Sequence, residues 1–225
     1  MAHPKEQALV RGILERAADH AWRIQDIGVL ALRLDDRRTS RLHVWDPDGA
    51  SGEPVVHDHP YDFTSSVIVG ELVNTRYVAD PGGREYLRER YVPGNEADRR
   101  ADTVRLRGTS ETLRAGDRYR QAAHELHTSG QVPGTVTLLH FDRFVDAGAE
   151  LSVCRRPGTP WIAGASRPAS DDEVERITTA ALSWFQDRCS CNRPSQRSRL
   201  ANLRCNPWIR DVNCGTLGDE MEGSV

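Results

Sequence analysis

Two histidines separated by a single residue give the chain its clearest chemical signal. His57 and His59 flank Asp58 in the stretch VVHDHPYDFTSSVIVGEL, which continues as a predicted β-strand interrupted at Gly70. Because alternate side chains of a strand point to the same face, the two imidazoles are expected to lie side by side. Neutral imidazole binds iron, zinc, copper, nickel or manganese. By spacing alone, a metal site and an exposed pair in a loop before the strand are equally good interpretations.

Histidines further along the chain can complete such a site. His124 and His127 lie in AAHELHTS, and His140 lies in the apolar stretch TVTLLHF. His124 and His127 are three positions apart, so on a strand they point to different faces and only one of them can join the pair. A histidine inside an apolar strand, such as His140, is either a hydrogen-bonded core residue or a catalytic group.

The elements that would position these histidines are mostly short strands. Apolar and β-branched runs between turn signals predict strands at 27–34, 41–45, 63–77 with a turn at Gly70, 86–92, 103–106, 111–113, 119–123 and 135–144, and a loop at 81–83. Helical periodicity predicts a helix over 6–24. Ser170 and Glu173 form a capping-box signature before a second helix with an apolar face. Evenly spaced strands favour a closed or sandwiched β fold over β–α–β units.

The order of four motifs gives the chain a family resemblance. LHVW, HDH, ELHTS and TLLHF follow one another, and the spacing of His57, His59 and Gly70 fits the first cupin motif. From about residue 29 to residue 144 the chain resembles a cupin. Phe63 and Thr64 stand where that motif has its glutamate. Without the glutamate, the chain is similar to the thiol dioxygenase branch of the cupin superfamily, the cysteine dioxygenase family.

The resemblance implies a fold and a set of site residues. The fold would be mainly β, a cupin jelly-roll barrel with an N-terminal helix and a C-terminal helix. His57, His59 and His127 would hold Fe(II), with His127 preferred to His124 because the pair Leu126-His127 matches the family's Leu-His. His140 would orient substrate or dioxygen, and Arg33 would hold a substrate carboxylate through two hydrogen bonds.

The chain also departs from that family at the substrate site. Thr64 and Asp142 stand where eukaryotic members have a cysteine and a tyrosine that are crosslinked, so that crosslink cannot form. Leu138 replaces the serine of the family's Ser-x-His-x-Tyr relay. The metal site therefore matches better than the site for cysteine, and the substrate is expected to be a small molecule such as a thiol.

Two other functions share the same histidines. A cupin with zinc, nickel or manganese would act as an isomerase, lyase or hydrolase, because the metal would serve as a Lewis acid. A metal-free cupin would only bind a small ligand. Stoichiometric metal distinguishes the oxygenase and the Lewis-acid enzyme from the metal-free cupin. Dioxygen uptake then distinguishes the oxygenase from the Lewis-acid enzyme.

The composition of the whole chain limits its partners. A net charge of -3 over 225 residues gives no reason to expect nucleic acid or an anionic membrane. No apolar run approaches the length of a membrane span, and charges interrupt the N-terminal stretch, so we expect a cytoplasmic protein, monomeric or homodimeric. Residues 1–185 are predicted to form the cupin-like domain. Residues 186–225 are predicted to be an irregular tail that contains arginines and Cys189, Cys191, Cys205 and Cys214, whose spacing is not a paired zinc motif.

Overall fold

The computed structural model describes residues 4–25, 28–35, 39–46, 55–92, 95–145, 150–159 and 166–187. These residues form two α-helices, a short 3₁₀ turn at Ala17–Asp19 and twelve strands. The helices are α1 (Pro4–Glu15) and α2 (Asp171–Asp187). The strands are β1 (Arg23–Gln25), β2 (Val29–Arg33), β3 (Ser40–Trp45), β4 (Val56–His57), β5 (Tyr61–Val69), β6 (Glu71–Val92), β7 (Asn95–Arg114), β8 (Arg118–Gln121), β9 (His127–Gln131), β10 (Val136–Phe144), β11 (Leu151–Arg155) and β12 (Ser166–Pro168).

Both predicted helices are present, although the first is shorter than expected. The capping box begins α2 as predicted, because Ser170 N–H donates to Glu173 Oε2 at 2.9 Å and Glu173 N–H donates to Ser170 Oγ at 3.3 Å. The prediction of a helix as far as residue 24 is wrong: α1 ends at Glu15, and Ile24 pairs with Leu30 in the first sheet. The β-sheet partner therefore overrides the local helical periodicity.

The first sheet packs against the main core on one face and against the second sheet on the other. Its seven strands follow the order β12-β1-β2-β3-β10-β5-β8, and all its described pairings are antiparallel. One face packs against both helices through Leu42, Ile68 and Leu138. The other face packs Phe63 and Leu139 against Leu72 of the second sheet. The first sheet is thus buried on both faces, and the contact between the two sheets is that of a sandwiched β architecture.

The second sheet curls back on itself around a small core of its own. The first half of β6 pairs with β9 and the second half pairs with β11, and both β9 and β11 pair with β4. Val56, Tyr86, Leu106 and Cys154 fill the space that this arrangement encloses. The short strand β4 is thus held between two neighbours, which fixes the position of the His57 backbone.

Strands β6 and β7 form one hairpin that is much longer than the predicted strands. The register jumps from Ala79–Leu106 to Arg84–Leu106, so the predicted loop at 81–83 is a bulge inside a continuous strand. The predicted strands at 86–92, 103–106 and 111–113 are parts of these two strands. Pro81 interrupts the ladder, but pairing resumes beyond it because both flanks still meet β7.

The described residues thus form a mainly β structure with two antiparallel sheets and two helices, which confirms the predicted fold class. The jelly-roll assignment is finer than this and remains a prediction. Neither described helix is long and apolar enough to cross a membrane. The proposed tail begins within the last residues of α2 and otherwise lies outside the described residues, so the boundary at residue 185 also remains a prediction.

Candidate metal centre

Three of the predicted ligands come together where β4 meets β9. His57 on β4 is the register partner of His127 on β9, and directly opposed residues of antiparallel strands share a face. The ring centroids of His57 and His127 are 4.9 Å apart, and the His59 ring is 4.8 Å from that of His57 and 5.2 Å from that of His127. One nitrogen from each ring lies within 4.8 Å of the other two. This is a group of three imidazoles that could hold a metal ion.

Hydrogen bonds fix the tautomers of two of these rings. His57 Nδ1 lies 2.9 Å from the carbonyl oxygen of Val55, which can only accept, so Nδ1 donates. His127 Nδ1 lies 3.1 Å from Asn74 Oδ1, which is likewise an acceptor. Each ring therefore keeps an unprotonated Nε2, which is the form in which an imidazole binds a metal.

The third ring contacts the second at its ligand nitrogen. His59 Nε2 lies 3.1 Å from His127 Nε2. Two imidazole nitrogens at this distance share either a proton or a metal ion. Because His127 carries its proton on Nδ1, a shared proton belongs to His59, and binding of a metal through His59 Nε2 requires that proton to move to Nδ1 or to leave.

The surroundings hold all three histidines neutral. Burial lowers the pKa of His57, and burial together with the neighbouring His57 lowers the pKa of His127 to about 2. Burial, followed by the two neighbouring histidines, places the pKa of His59 well below its ordinary value. A buried neutral imidazole offers its lone pair at any pH near neutrality, which favours metal binding.

Aromatic side chains enclose one side of the group. The Tyr61 ring is stacked on His59 at 5.0 Å and 17°, and Phe63 lies 5.5 Å from His59 and 6.0 Å from His127. Phe63 itself is almost fully buried. These contacts restrict the rotation of the His59 ring and exclude water from its side of the site.

His124 lies outside the group, which decides between the two candidates for the third position. Its φ is 60°, and its N–H donates to the carbonyl oxygen of His59 at 2.9 Å. The side chain is 43% exposed, with Nδ1 3.8 Å from Asp58 Oδ2. His124 therefore helps to fix the backbone beside the site, while His127 supplies the nitrogen.

Asp58 has a structural role between the two ligand candidates. Its carboxylate accepts a hydrogen bond of 2.8 Å from the N–H of Ser152, and its own N–H donates to the carbonyl oxygen of Ser152. Burial is the main cause that raises the pKa of this carboxyl. The HDH segment is thus attached to β11 through its central residue.

The structure places His140, one of the two predicted catalytic residues, away from the group. His140 is exposed on β10, where Nδ1 lies 2.9 Å from Ser40 Oγ, and it shares a face with Leu138 on the helix side of the sheet. Phe63, which contacts the histidine group, lies on the other face. Arg33 is exposed at the end of β2, in register with Arg41.

Two residues near the group were missed in the sequence. Asn74 is fully buried on β6 and contacts His127, and its only sequence signal is a polar residue inside an apolar strand. Arg41 lies on β3 with its guanidinium 5.2 Å from the Phe141 ring centre. After burial and the histidines, its charge contributes to the lowered pKa of His59. No sequence pattern distinguishes Arg41 from Arg33.

Comparisons with known proteins do not place the chain in a family. No protein-family model and no curated protein matches it. CENP-C from Drosophila melanogaster, solved bound to CAL1, is similar at TM-score 0.35 and 10% identity over 67% of this chain and 98% of that chain. A cupin-like protein from Thermotoga maritima is similar at TM-score 0.25 and 11% identity over 69% and 87%. Likenesses of this size assign neither fold nor function.

Proposed function

We propose that the chain is a cupin oxygenase that uses non-haem Fe(II) and dioxygen to oxidise a small molecule such as a thiol. The observation that carries this proposal is the convergence of His57, His59 and His127 within 4.8 Å as neutral imidazoles. The cupin jelly roll is part of the proposal. It is supported by the two antiparallel sheets and by the motif order of the sequence.

The donor set fits a divalent first-row metal. His57 and His127 have unprotonated Nε2 atoms held by hydrogen bonds at Nδ1, and His59 Nε2 lies against His127 Nε2. Three neutral nitrogen donors leave coordination positions for other groups, as an open catalytic site requires. Bound Fe(II) would supply the oxidation chemistry with dioxygen.

The protein's own residues would orient the substrate and exclude water. Tyr61 and Phe63 form an apolar wall beside His59. The positive charge of Arg41 reaches this region, so Arg41 would attract an anionic part of the substrate. The exposed His140 has no part in the reaction under this proposal.

The same donor set supports a second candidate function. Three histidines hold catalytic zinc in other enzymes, and imidazole nitrogens also bind nickel and manganese. A zinc, nickel or manganese cupin would act as an isomerase, lyase or hydrolase with the metal as Lewis acid.

Metal content of the purified chain tests these proposals. We expect elemental mass spectrometry to find stoichiometric iron in the wild type, loss of that iron in His57→Ala, and retention in the control His124→Asn, which keeps a residue that tolerates positive φ. Dioxygen uptake with a panel of small thiols then tests the oxygenase. Zinc, nickel or manganese that is lost in His57→Ala would favour the second function. No metal in the wild type after anaerobic reconstitution with Fe(II) would contradict both and leave a metal-free ligand-binding cupin.

A further inference from the structure

We propose that Glu111 and Asn74 are positioning residues that determine which nitrogen of His127 is free to bind a metal. The functional meaning of this inference rests on the proposed metal site, but the hydrogen bonds among these side chains exist independently of a bound ion. The residues come from three strands, with Asn74 and Arg76 on β6, Glu111 on β7 and His127 on β9.

The four side chains form a continuous series of hydrogen bonds. Arg76 Nη1 donates to Glu111 Oε1 at 2.7 Å, and Asn74 Nδ2 donates to the same oxygen at 3.2 Å. Asn74 Oδ1 then faces His127 Nδ1 at 3.1 Å. Asn74 is 0% exposed and His127 is 3% exposed, so water cannot easily replace either partner.

The chemistry of each group dictates the direction of every bond. An ionised carboxylate only accepts, and the Arg76 guanidinium beside it only donates. The amide end of Asn74 that faces Glu111 must therefore be Nδ2. Its other end, Oδ1, must face His127, and an oxygen there requires the proton of His127 on Nδ1. His127 Nε2 is left unprotonated towards His57 and His59.

Removal of the acceptor at position 111 should reverse the orientation of the Asn74 amide. Without it, the Asn74 amide would turn its oxygen towards the Arg76 donors and its Nδ2 towards His127. An Nδ2 donor would then require an unprotonated Nδ1, and the proton of His127 would move to Nε2, where it blocks the metal. Arg76 remains in place through its 2.7 Å bond from Nη2 to the carbonyl oxygen of Arg120.

The test compares two substitutions at one half-exposed position. Glu111→Met removes the acceptor at similar size, whereas Glu111→Gln keeps one acceptor oxygen while it removes the charge and replaces the second oxygen with an NH2 donor. Ser110→Ala is the matched control, because Ser110 makes a 2.8 Å hydrogen bond to Thr75 between the same two strands on the opposite face. The readouts are the nitrogen-15 chemical shifts of the His127 ring in chelator-treated protein and the affinity for Co²⁺.

We expect protonated Nδ1 in the wild type, Glu111→Gln and Ser110→Ala, and a shift towards protonated Nε2 in Glu111→Met. Co²⁺ affinity should fall about tenfold or more in Glu111→Met and stay within about threefold of wild type in the other two, as for other outer partners of metal-bound histidines. An unchanged tautomer in Glu111→Met, or an equal shift in Glu111→Gln, would overturn the inference. If the wild type binds no metal, the proposed function fails, while the chemical shifts still decide this inference.

Discussion

At the level of single residues, several histidines have ring nitrogens that are shielded from water. An imidazole that leaves water must stay neutral and find partners for its ring nitrogens. His57 and His127 do so through Val55 and Asn74. His43 differs, because its buried Nε2 has no hydrogen-bond partner among the described residues. Such groups make the folded state sensitive to acid.

We predict that His43 contributes to acid unfolding. Burial, and secondarily the charge of Arg41, lowers the pKa of His43 to about 3 in the folded chain. The unfolded chain binds the proton near the ordinary histidine pKa of about 6.5, so stability falls as the pH falls from about 6.5 towards 3. His43→Gln should reduce that slope by at most about 1.4 kcal/mol per pH unit. Urea unfolding at several pH values measures how the free energy of unfolding depends on pH in the two proteins. The same dependence in the wild type and in His43→Gln would contradict the prediction.

At the scale of elements, turns and register decide where the histidines lie. Gly70 joins β5 to β6 with φ at +82°, a conformation that glycine adopts without strain. A Cβ at this position would lie 2.3 Å from Thr135 Oγ1 and 2.8 Å from Thr135 Cα. Thr135 is fully buried and bonded through Oγ1 to Glu71, so it cannot move aside. The turn therefore fixes how β6, with Asn74, enters the second sheet.

We predict that Gly70→Ala is much more destabilising than Gly158→Ala. Gly158 has φ at +84° but nothing within 4 Å of an added Cβ, so its substitution measures the backbone strain alone. That strain costs about 1–2 kcal/mol. Gly70→Ala adds a steric clash of about 1–3 kcal/mol, to be measured by urea unfolding. Equal losses in the two variants would show that Thr135 can yield.

At the scale of the whole molecule, the helices complete the core of the first sheet. Val10 and Ile13 of α1 and Ile177 and Ala181 of α2 are buried against its outer face. Arg176 of α2 is also paired with the buried Asp46 at the end of β3. The histidine group lies on the other side of that sheet, so α2 acts on the site through the sheet and through the β9–β10 loop, where Trp184 Nε1 donates to the carbonyl oxygen of Pro133 at 3.1 Å.

We predict that truncation after Asp187 leaves metal content and melting temperature unchanged. The sequence beyond that point carries no helical or strand periodicity, so it is expected to bury little apolar surface. Truncation after Ser170, which also removes α2, should lower the melting temperature by about 10 °C or more, because Ile177 and Ala181 leave the core. Differential scanning calorimetry with metal analysis checks both. A large loss in the first variant would show that the tail is structurally required.

The local features of this protein follow from its residues alone. The spacing of His57 and His59 predicted that the two rings lie side by side, which they do although β4 ends at His57. The capping box of Ser170 and Glu173 located the start of α2. The mainly β class followed from strand and turn signals. These features depend on neighbours within a few positions, so they can be read from the residues alone.

The contacts between residues that are distant along the chain depend on how the strands pair. His59 and His127 are 68 positions apart, and the β4–β9 register, not the local pattern, brings His127 rather than His124 to the group. The pairing of β10 with β3 and β5 placed His140 on the helix face, and the register of β6 with β9 brought Asn74 beside His127. The alternation of side chains along a strand fixes which residues of that strand share a face. Which strands become neighbours depends on the packing of the whole chain.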